Sequence, residues 1–234
     1  DGTPLGYNLN DQILNNGFSY DRNGNAILWR GGQVSFAYDY ENRVTQVGTV
    51  LQLAYRPDGL RAWKQPINNP SQRTYYIYDG DLVIFEWRPD TNFAQAYAFG
   101  PNGLAGSYRY VGGSARPRYY FFDLWGNMIQ RVHQEDAVDG VWVSSNAFYN
   151  SWGALLFDCS TRASGCYPYP TPDSVGWRGQ WGVYTDVEDR SFVFMLDRYY
   201  DTLLRQFLSR NSLRGDADWN EYAYASANPN GSVW

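Results

Sequence analysis

Two cysteines, one histidine and a run of alternating oxygen-bearing side chains are the residues of this 234-residue chain whose types and spacing suggest chemistry. Cys159 and Cys166 flank a polar hexapeptide, and the chain has no other thiol and only His133 as an imidazole. A structural zinc site takes four nitrogen or sulfur ligands, more than these residues supply. A disulfide closing the small loop is read here against the alternative of two free thiols. It would imply an oxidising compartment and an extracellular or cell-surface location. His133 sits in Arg131-Val132-His133-Gln134-Glu135. A triad would also need a nucleophile and an orienting group that nothing in the sequence places, so a structural histidine is the expectation. Asp21-Arg22-Asn23-Gly24-Asn25 alternates oxygen ligands as a calcium loop does, yet lacks the glutamate that closes such a site at its proper spacing. It reads as a hairpin turn, and no metal or cofactor is expected.

Any such group must be positioned by strands. The chain has 21 Tyr, 12 Phe and 10 Trp, making 18% of its residues aromatic, and aromatic side chains suit a pleated, half-buried surface. With 23 Gly and 11 Pro among many Asn and Asp, short apolar runs are punctuated as in hairpins, not as in helical bundles. A net charge of -5, with 19 basic residues scattered along the chain, offers no footprint for a phosphate backbone, so nucleic acid is not an expected partner. No run of about 18 apolar residues is present to cross a bilayer. The opening residues lack the regions of a signal peptide, and the reading is a soluble or already processed chain. The aromatic surplus would also suit stacking on sugar rings, as in a glycan-binding adhesin module. Core packing and cross-strand ladders account for most of it.

Self-similarity organises the sequence. An aromatic is followed by Asp or a substitute, then a Gly/Asn turn, then a strand. The first copies are Phe18-Ser19-Tyr20-Asp21, Phe36-Ala37-Tyr38-Asp39 and Leu53-Ala54-Tyr55-Arg56, whose tyrosines are 18 and 17 residues apart. Looser copies come at Tyr76-Ile77-Tyr78-Asp79, Tyr97-Ala98-Phe99, Tyr120-Phe121-Phe122-Asp123 and Phe148-Tyr149-Asn150. Period-two alternation puts Phe36, Tyr38 and Tyr40 on one strand face, and likewise Val83, Phe85 and Trp87. Asn23-Gly24, Asp58-Gly59 and Asp79-Gly80 are expected to supply the positive φ values of two-residue hairpin turns. Loops are expected at Pro66 to Pro70, Val111 to Arg118 and Asp158 to Asp173. The fold class predicted is all-β, with serial antiparallel hairpins in a curved or spiralling sheet.

The repeats, with Tyr20-Asp21, Tyr38-Asp39 and Tyr78-Asp79, resemble the RHS/YD-repeat family. The more specific likeness is C-terminal. Gly176-Trp177-Arg178-Gly179-Gln180 leads on to Tyr184-Thr185-Asp186, then Arg198-Tyr199-Tyr200-Asp201, Phe207-Leu208-Ser209, Asn220-Glu221-Tyr222 and Asn228-Pro229. Their order and spacing are similar to the RHS repeat-associated core domain. The resemblance implies a sheet that spirals into a hollow shell plugged by the core, in secreted toxins and cell-surface proteins. On it, residues 1–157 are a degenerate repeat sheet, 158–174 a Cys/Pro-rich loop, and 175–234 a core-like segment continuous with the sheet.

The resemblance further implies two roles. One is a structural, encapsulating shell segment. Such shells hold many more repeats than 234 residues contain, so edges stay open for other shell segments or for copies of the chain in a ring or fibre. The other is aspartyl autoproteolysis that releases a C-terminal toxin cargo. Here the pattern departs from the family, because Gln206 stands where the usual Arg would be, Arg205 comes one position early, and Asn211 replaces a common Asp. The remaining candidates are Arg205, Asp216 and Asp218; paired carboxylates sharing a proton would be required, and Asp216 and Asp218 also suit turns or caps. The balance of the sequence is against an enzyme.

Overall fold

Short aromatic runs followed by Asp or Asn form the first strand of four hairpins, and the residue three places after that Asp or Asn turns the chain. The structure, a computed structural model, describes residues 4–134, 142–158, 173–188, 191–195, 197–211, 220–225 and 228–229. Fourteen strands succeed one another in a single antiparallel sheet whose spatial order is the chain order. They are β1 (Ser19–Tyr20), β2 (Ala26–Trp29), β3 (Val34–Tyr38), β4 (Val44–Val47), β5 (Leu51–Tyr55), β6 (Arg61–Pro66) and β7 (Thr74–Asp79). Next come β8 (Leu82–Arg88), β9 (Phe93–Gly100), β10 (Gly103–Val111), β11 (Ser114–Phe122), β12 (Met128–Gln134), β13 (Trp142–Tyr149) and β14 (Leu155–Asp158). A second sheet holds β15 (Tyr184–Thr185), β16 (Phe192–Met195), β17 (Arg198–Asp201) and β18 (Gln206–Phe207). The fold is all-β as expected, and β1 and β14 end the large sheet without closing it. Among the described residues no helix is long and apolar enough to cross a membrane.

The repeat residues have distinct jobs. At Asp21, Asp39, Asp123 and Asn150 the side-chain oxygen accepts the backbone N–H groups two and four residues on, at 2.8–3.0 Å. The carbonyl of the same residue accepts the N–H three residues on, and its own N–H donates to the carbonyl four residues on. The result is a three-residue loop, not the expected two-residue turn. Only its last residue has positive φ, at Gly24 (86°), Asn42 (65°), Gly126 (83°) and Gly153 (88°), because a type I turn needs a single left-handed residue to rejoin the ladder. Arg56 to Leu60 repeats the backbone pattern without the carboxylate. The turn oxygens are occupied by backbone donors in the Asp21 loop, as a hairpin reading requires. Both Gly112 and Gly113 have positive φ, at 58° and 86°, so the expected loop from Val111 to Arg118 is instead a tight turn between two long strands.

Each of the seven hairpins opened by a repeat aromatic also carries one bulge. Tyr20, Tyr38, Tyr55, Tyr78, Phe99, Phe122 and Tyr149 pair with Ala26, Val44, Arg61, Val83, Leu104, Met128 and Leu155, and the register slips by one residue directly behind them. A bulge inserts one unpaired residue and bends its strand, and its recurrence curves the sheet. It also switches the face on which the residues beyond it lie. Val83 packs inward with Tyr78, whereas Phe85 and Trp87 lie across from Ile77 and Tyr75, so the three do not share a face as the alternation predicted. Tyr40 likewise leaves the face of Phe36 and Tyr38, since β3 stops at Tyr38 and Tyr40 stands exposed in the turn.

The repeat tyrosine serves the bulge of the previous hairpin. The Tyr38 hydroxyl donates to the Ala26 carbonyl at 2.9 Å, Tyr55 to Val44 at 2.8 Å and Tyr78 to Arg61 at 3.0 Å. Each acceptor is the residue that the preceding repeat aromatic faces. Tyr38→Phe is therefore expected to lower stability by about 1–3 kcal/mol in urea unfolding, because a buried carbonyl loses its partner. Tyr40→Phe should change it by less than about 0.5 kcal/mol. Equal effects of the two substitutions would refute this role.

The inner face of the sheet packs on the second sheet. Trp29, Phe36, Val47, Leu51, Leu53 and Tyr76 form one cluster with Tyr184, Phe192, Phe194, Tyr199 and Leu208. Leu104, Tyr120, Met128 and Ala147 pack with Val175 in another. One face of strands from β2 to β13 thus converges on a short C-terminal segment, which a flat sheet cannot do.

Candidate functional site

Buried polar contacts concentrate at the seam where the C-terminal segment enters the sheet. Three buried carboxylates organise it. Asp201, at the end of β17, is fully buried and accepts the Trp29 indole N–H at 2.7 Å, the Arg30 guanidinium at 2.7 Å through both oxygens, and the N–H groups of Leu203 at 2.7 Å and Leu204 at 3.0 Å. Its carboxylate is saturated by donors and clamps the first repeat to the core. That is a structural assignment for Tyr199-Tyr200-Asp201.

Asp186 receives Arg61 Nη1 at 2.9 Å, Lys64 Nζ at 3.0 Å and the Tyr199 hydroxyl. Lys64 also reaches Glu188 at 2.6 Å, and Arg61 donates to the Tyr199 oxygen at 2.9 Å. The guanidinium lies 4.7–4.9 Å from the ring centres of Phe194, Tyr76 and Tyr184, so aromatic faces replace its hydration. Burial alone would raise the Asp186 carboxyl, but Arg61 and Lys64, with hydrogen bonds from Tyr199 and Lys64, hold it well below the usual carboxylate range. Burial likewise opposes the charge on Lys64, and Asp186, Tyr76 and Glu188 together outweigh it to keep the ammonium above its ordinary value. Nearby, Glu86 accepts the hydroxyls of Tyr184, at 2.7 Å, and Tyr97. Burial dominates there and raises its pKa against those two hydrogen bonds.

Asp173 is the third. It accepts the Tyr120 hydroxyl at 2.9 Å, Arg131 Nη1 at 2.8 Å, Arg118 Nη1 at 3.4 Å and the Val175 N–H at 3.1 Å. Burial would raise this carboxyl too, and Arg131, Arg118 and Arg109 together hold it well below its ordinary value. Burial, with Arg109 and Arg131 as neighbours, brings Arg118 down to about 10. His133 is buried on the same inner face, with Arg118 and Val143 as its strand partners.

The remaining signature residues fasten the segment to the turns. Arg178 donates through its N–H to the Asn127 side chain at 3.1 Å and through its guanidinium to the carbonyls of Trp125 at 3.0 Å and Pro229 at 2.7 Å. Gln180 binds the Gly126 carbonyl through its N–H at 3.1 Å and the Asn102 carbonyl through its side chain at 2.8 Å. Gly179 is required by packing, since a Cβ there would lie 2.8 Å from Val175 Cγ1. Tyr200 stacks on Trp177 at 5.6 Å, and Arg198 lies 3.7 Å over the Phe207 ring. Leu208 accepts the Ala26 N–H at 2.8 Å, and Ser209 is buried beside a polar cavity. The repeat residues Tyr20, Tyr38 and Tyr78 pack against the same core, whereas Asp79 is exposed at its hairpin tip.

Of the candidate proteolytic residues, only Arg205 falls among the described residues. Arg205 is exposed with φ of 64°, its guanidinium 5.4 Å from the Trp152 ring, and among the described residues it makes no ion pair. Asp216 and Asp218 lie outside the described residues, as do Cys159 and Cys166. No group of three potential metal ligands gathers among the described residues. Sequence reasoning missed Arg61, Lys64, Glu86 and Asp173 as organisers. For Arg61, Lys64 and Glu86 the available signal was a charge within a strand, since a charge on a buried strand face demands a partner, whereas Asp173 lies outside the strands.

No protein-family model matches the chain, and no curated protein matches its sequence. Solved structures do match in fold. The TcdB2-TccC3 crystal structure is similar over 90% of this chain, with 14% identity and a TM-score of 0.61. A Tc holotoxin pore from Photorhabdus luminescens carrying a TccC3 mutation is similar over 92% of it, with 14% identity and a TM-score of 0.51. The chain spans 10% and 13% of those chains. The serial hairpin sheet wrapped on its C-terminal segment is thus a fold shared with Tc toxin complexes.

Proposed function

We propose that the chain is a non-catalytic structural segment of an RHS-type β-shell, secreted or at the cell surface, that works by pairing its sheet ends with other shell segments or with copies of itself. The observation that carries this reading is the open fourteen-stranded serial sheet whose inner face is already filled by its own C-terminal segment. Its outermost strands, β1 and β14, are the places where strand addition would extend the sheet, because an edge strand offers unpaired N–H and C=O groups. The core-like signature and the fold shared with Tc toxin complexes support an encapsulating role. A C-terminal toxin is the cargo that role implies. In this reading residues 1–157 supply shell wall, 175–234 the plug, and the saturated carboxylates act as fasteners.

Light scattering of the full chain over a range of concentrations tests it. Masses rising to multiples of the monomer are expected, and Leu156→Lys on β14, where Leu156 is 68% exposed, should reduce them by placing a charge on the edge. A monodisperse monomer at every concentration would overturn the proposal.

A further inference from the structure

Between the tip of the β7–β8 hairpin and the C-terminal segment lies a cavity of about 420 Å³ that none of the fastening contacts occupies. This volume falls within the usual range of small-ligand sites, about 300–1,000 Å³. Its walls are largely apolar, with Leu82, Val83, Trp181, Val183, Phe194 and Met195. Arg61 also borders it, but that charge is matched by Asp186. Asp79 and Asp81 stand at the mouth, both exposed, and neither carboxylate has an ion pair or side-chain hydrogen bond among the described residues. The cavity's uncompensated charge is therefore negative. Trp181 adds an indole to the lining, and aromatic rings attract cations.

We propose that this cavity binds an apolar ammonium, a hydrocarbon or aryl body bearing one protonated amine. The body lies against Val83, Trp181 and Phe194, and the amine meets Asp79 and Asp81. Anions are repelled at the mouth, and a neutral isostere gains only the burial of its body. The site lies within one chain, so it stands apart from the assembly reading.

Titration calorimetry on the full chain with 4-phenylbutylamine, 4-phenylbutanol and 4-phenylbutyrate tests this. Saturable binding of the amine is expected, weaker binding of the alcohol, and none of the carboxylate. The Asp79→Asn/Asp81→Asn pair should weaken the amine by about fivefold to tenfold and leave the alcohol unchanged. Val83→Trp, which fills the cavity, should abolish both. Should that variant fail to fold by circular dichroism, Leu60→Trp supplies the same blockade from another wall. The proposal is overturned if the amine shows no saturation up to about 10 mM, if the carboxylate binds as well as the amine, or if removing the two carboxylates leaves amine affinity unchanged.

Discussion

Asp186→Ala is expected to lower stability by about 3–5 kcal/mol, read as a fall in the urea midpoint, because it leaves buried cations without their partner. Arg61 and Lys64 are 1% and 4% exposed in their side chains, so water cannot replace the carboxylate. The size of the loss reflects the stranded charges more than the net worth of the pair. Replacing the whole group, as in Arg61→Met/Lys64→Met/Asp186→Leu, should therefore recover part of it. A triple variant less stable than Asp186→Ala would contradict that account.

The same carboxylate sets an acid response. Asp186 and Asp173 have folded-state pKa values below their unfolded ones. Their contribution is present above the unfolded carboxyl pKa of about 3.9 and is lost as pH falls through it toward the folded values. Glu86 has the opposite sign: its raised folded pKa gives a contribution present at low pH and lost as pH rises through that value. Net stability should fall below about pH 4, and Asp186→Asn should flatten the acid slope by up to about 1.4 kcal/mol per pH unit. Urea midpoints measured from neutral pH down to acid would show it, and parallel slopes for parent and variant would count against Asp186 as the titrating group.

Asp201→Ala carries the second large effect, again about 3–5 kcal/mol, since one fully buried carboxylate accepts the Trp29 indole, the Arg30 fork and two backbone N–H groups. Its signature is local. Hydrogen exchange should accelerate first in β1 to β3, where the clamp holds the first repeat, while amides of β9 to β12 keep their protection at low denaturant. Asp201→Asn, which keeps an oxygen for the indole, should fall between. Uniform loss of protection across the large sheet would show that Asp201 does not act as a local clamp.

Much of the sheet was legible because its causes are local. An Asp or Asn that accepts N–H groups two and four residues on, followed by a left-handed Gly or Asn, specifies four of the hairpins within five residues, and all seven aromatic signatures became hairpins. The expectation of two-residue turns failed at Asn23-Gly24 and Asp58-Gly59 because the dipeptide does not reveal that Asp21 pairs with Asn25 and Arg56 with Leu60, which leaves three residues in each loop. The register bulge broke the predicted face of Val83, and the end of β3 at Tyr38 that of Tyr40.

By itself, then, the sequence determined an all-β chain of serial hairpins with a distinct C-terminal signature, since turn chemistry and period-two patterning act between near neighbours. Only the tertiary structure decided what that signature does. Asp201 meets Trp29 across 172 residues, Asp186 meets Arg61 across 125, and Asp173 meets Arg131 across 42. Arg61 and Arg131 sit on buried strand positions and are tolerated there only because a distant carboxylate is delivered to each. Curvature of the sheet brings those partners together, and no local preference records it.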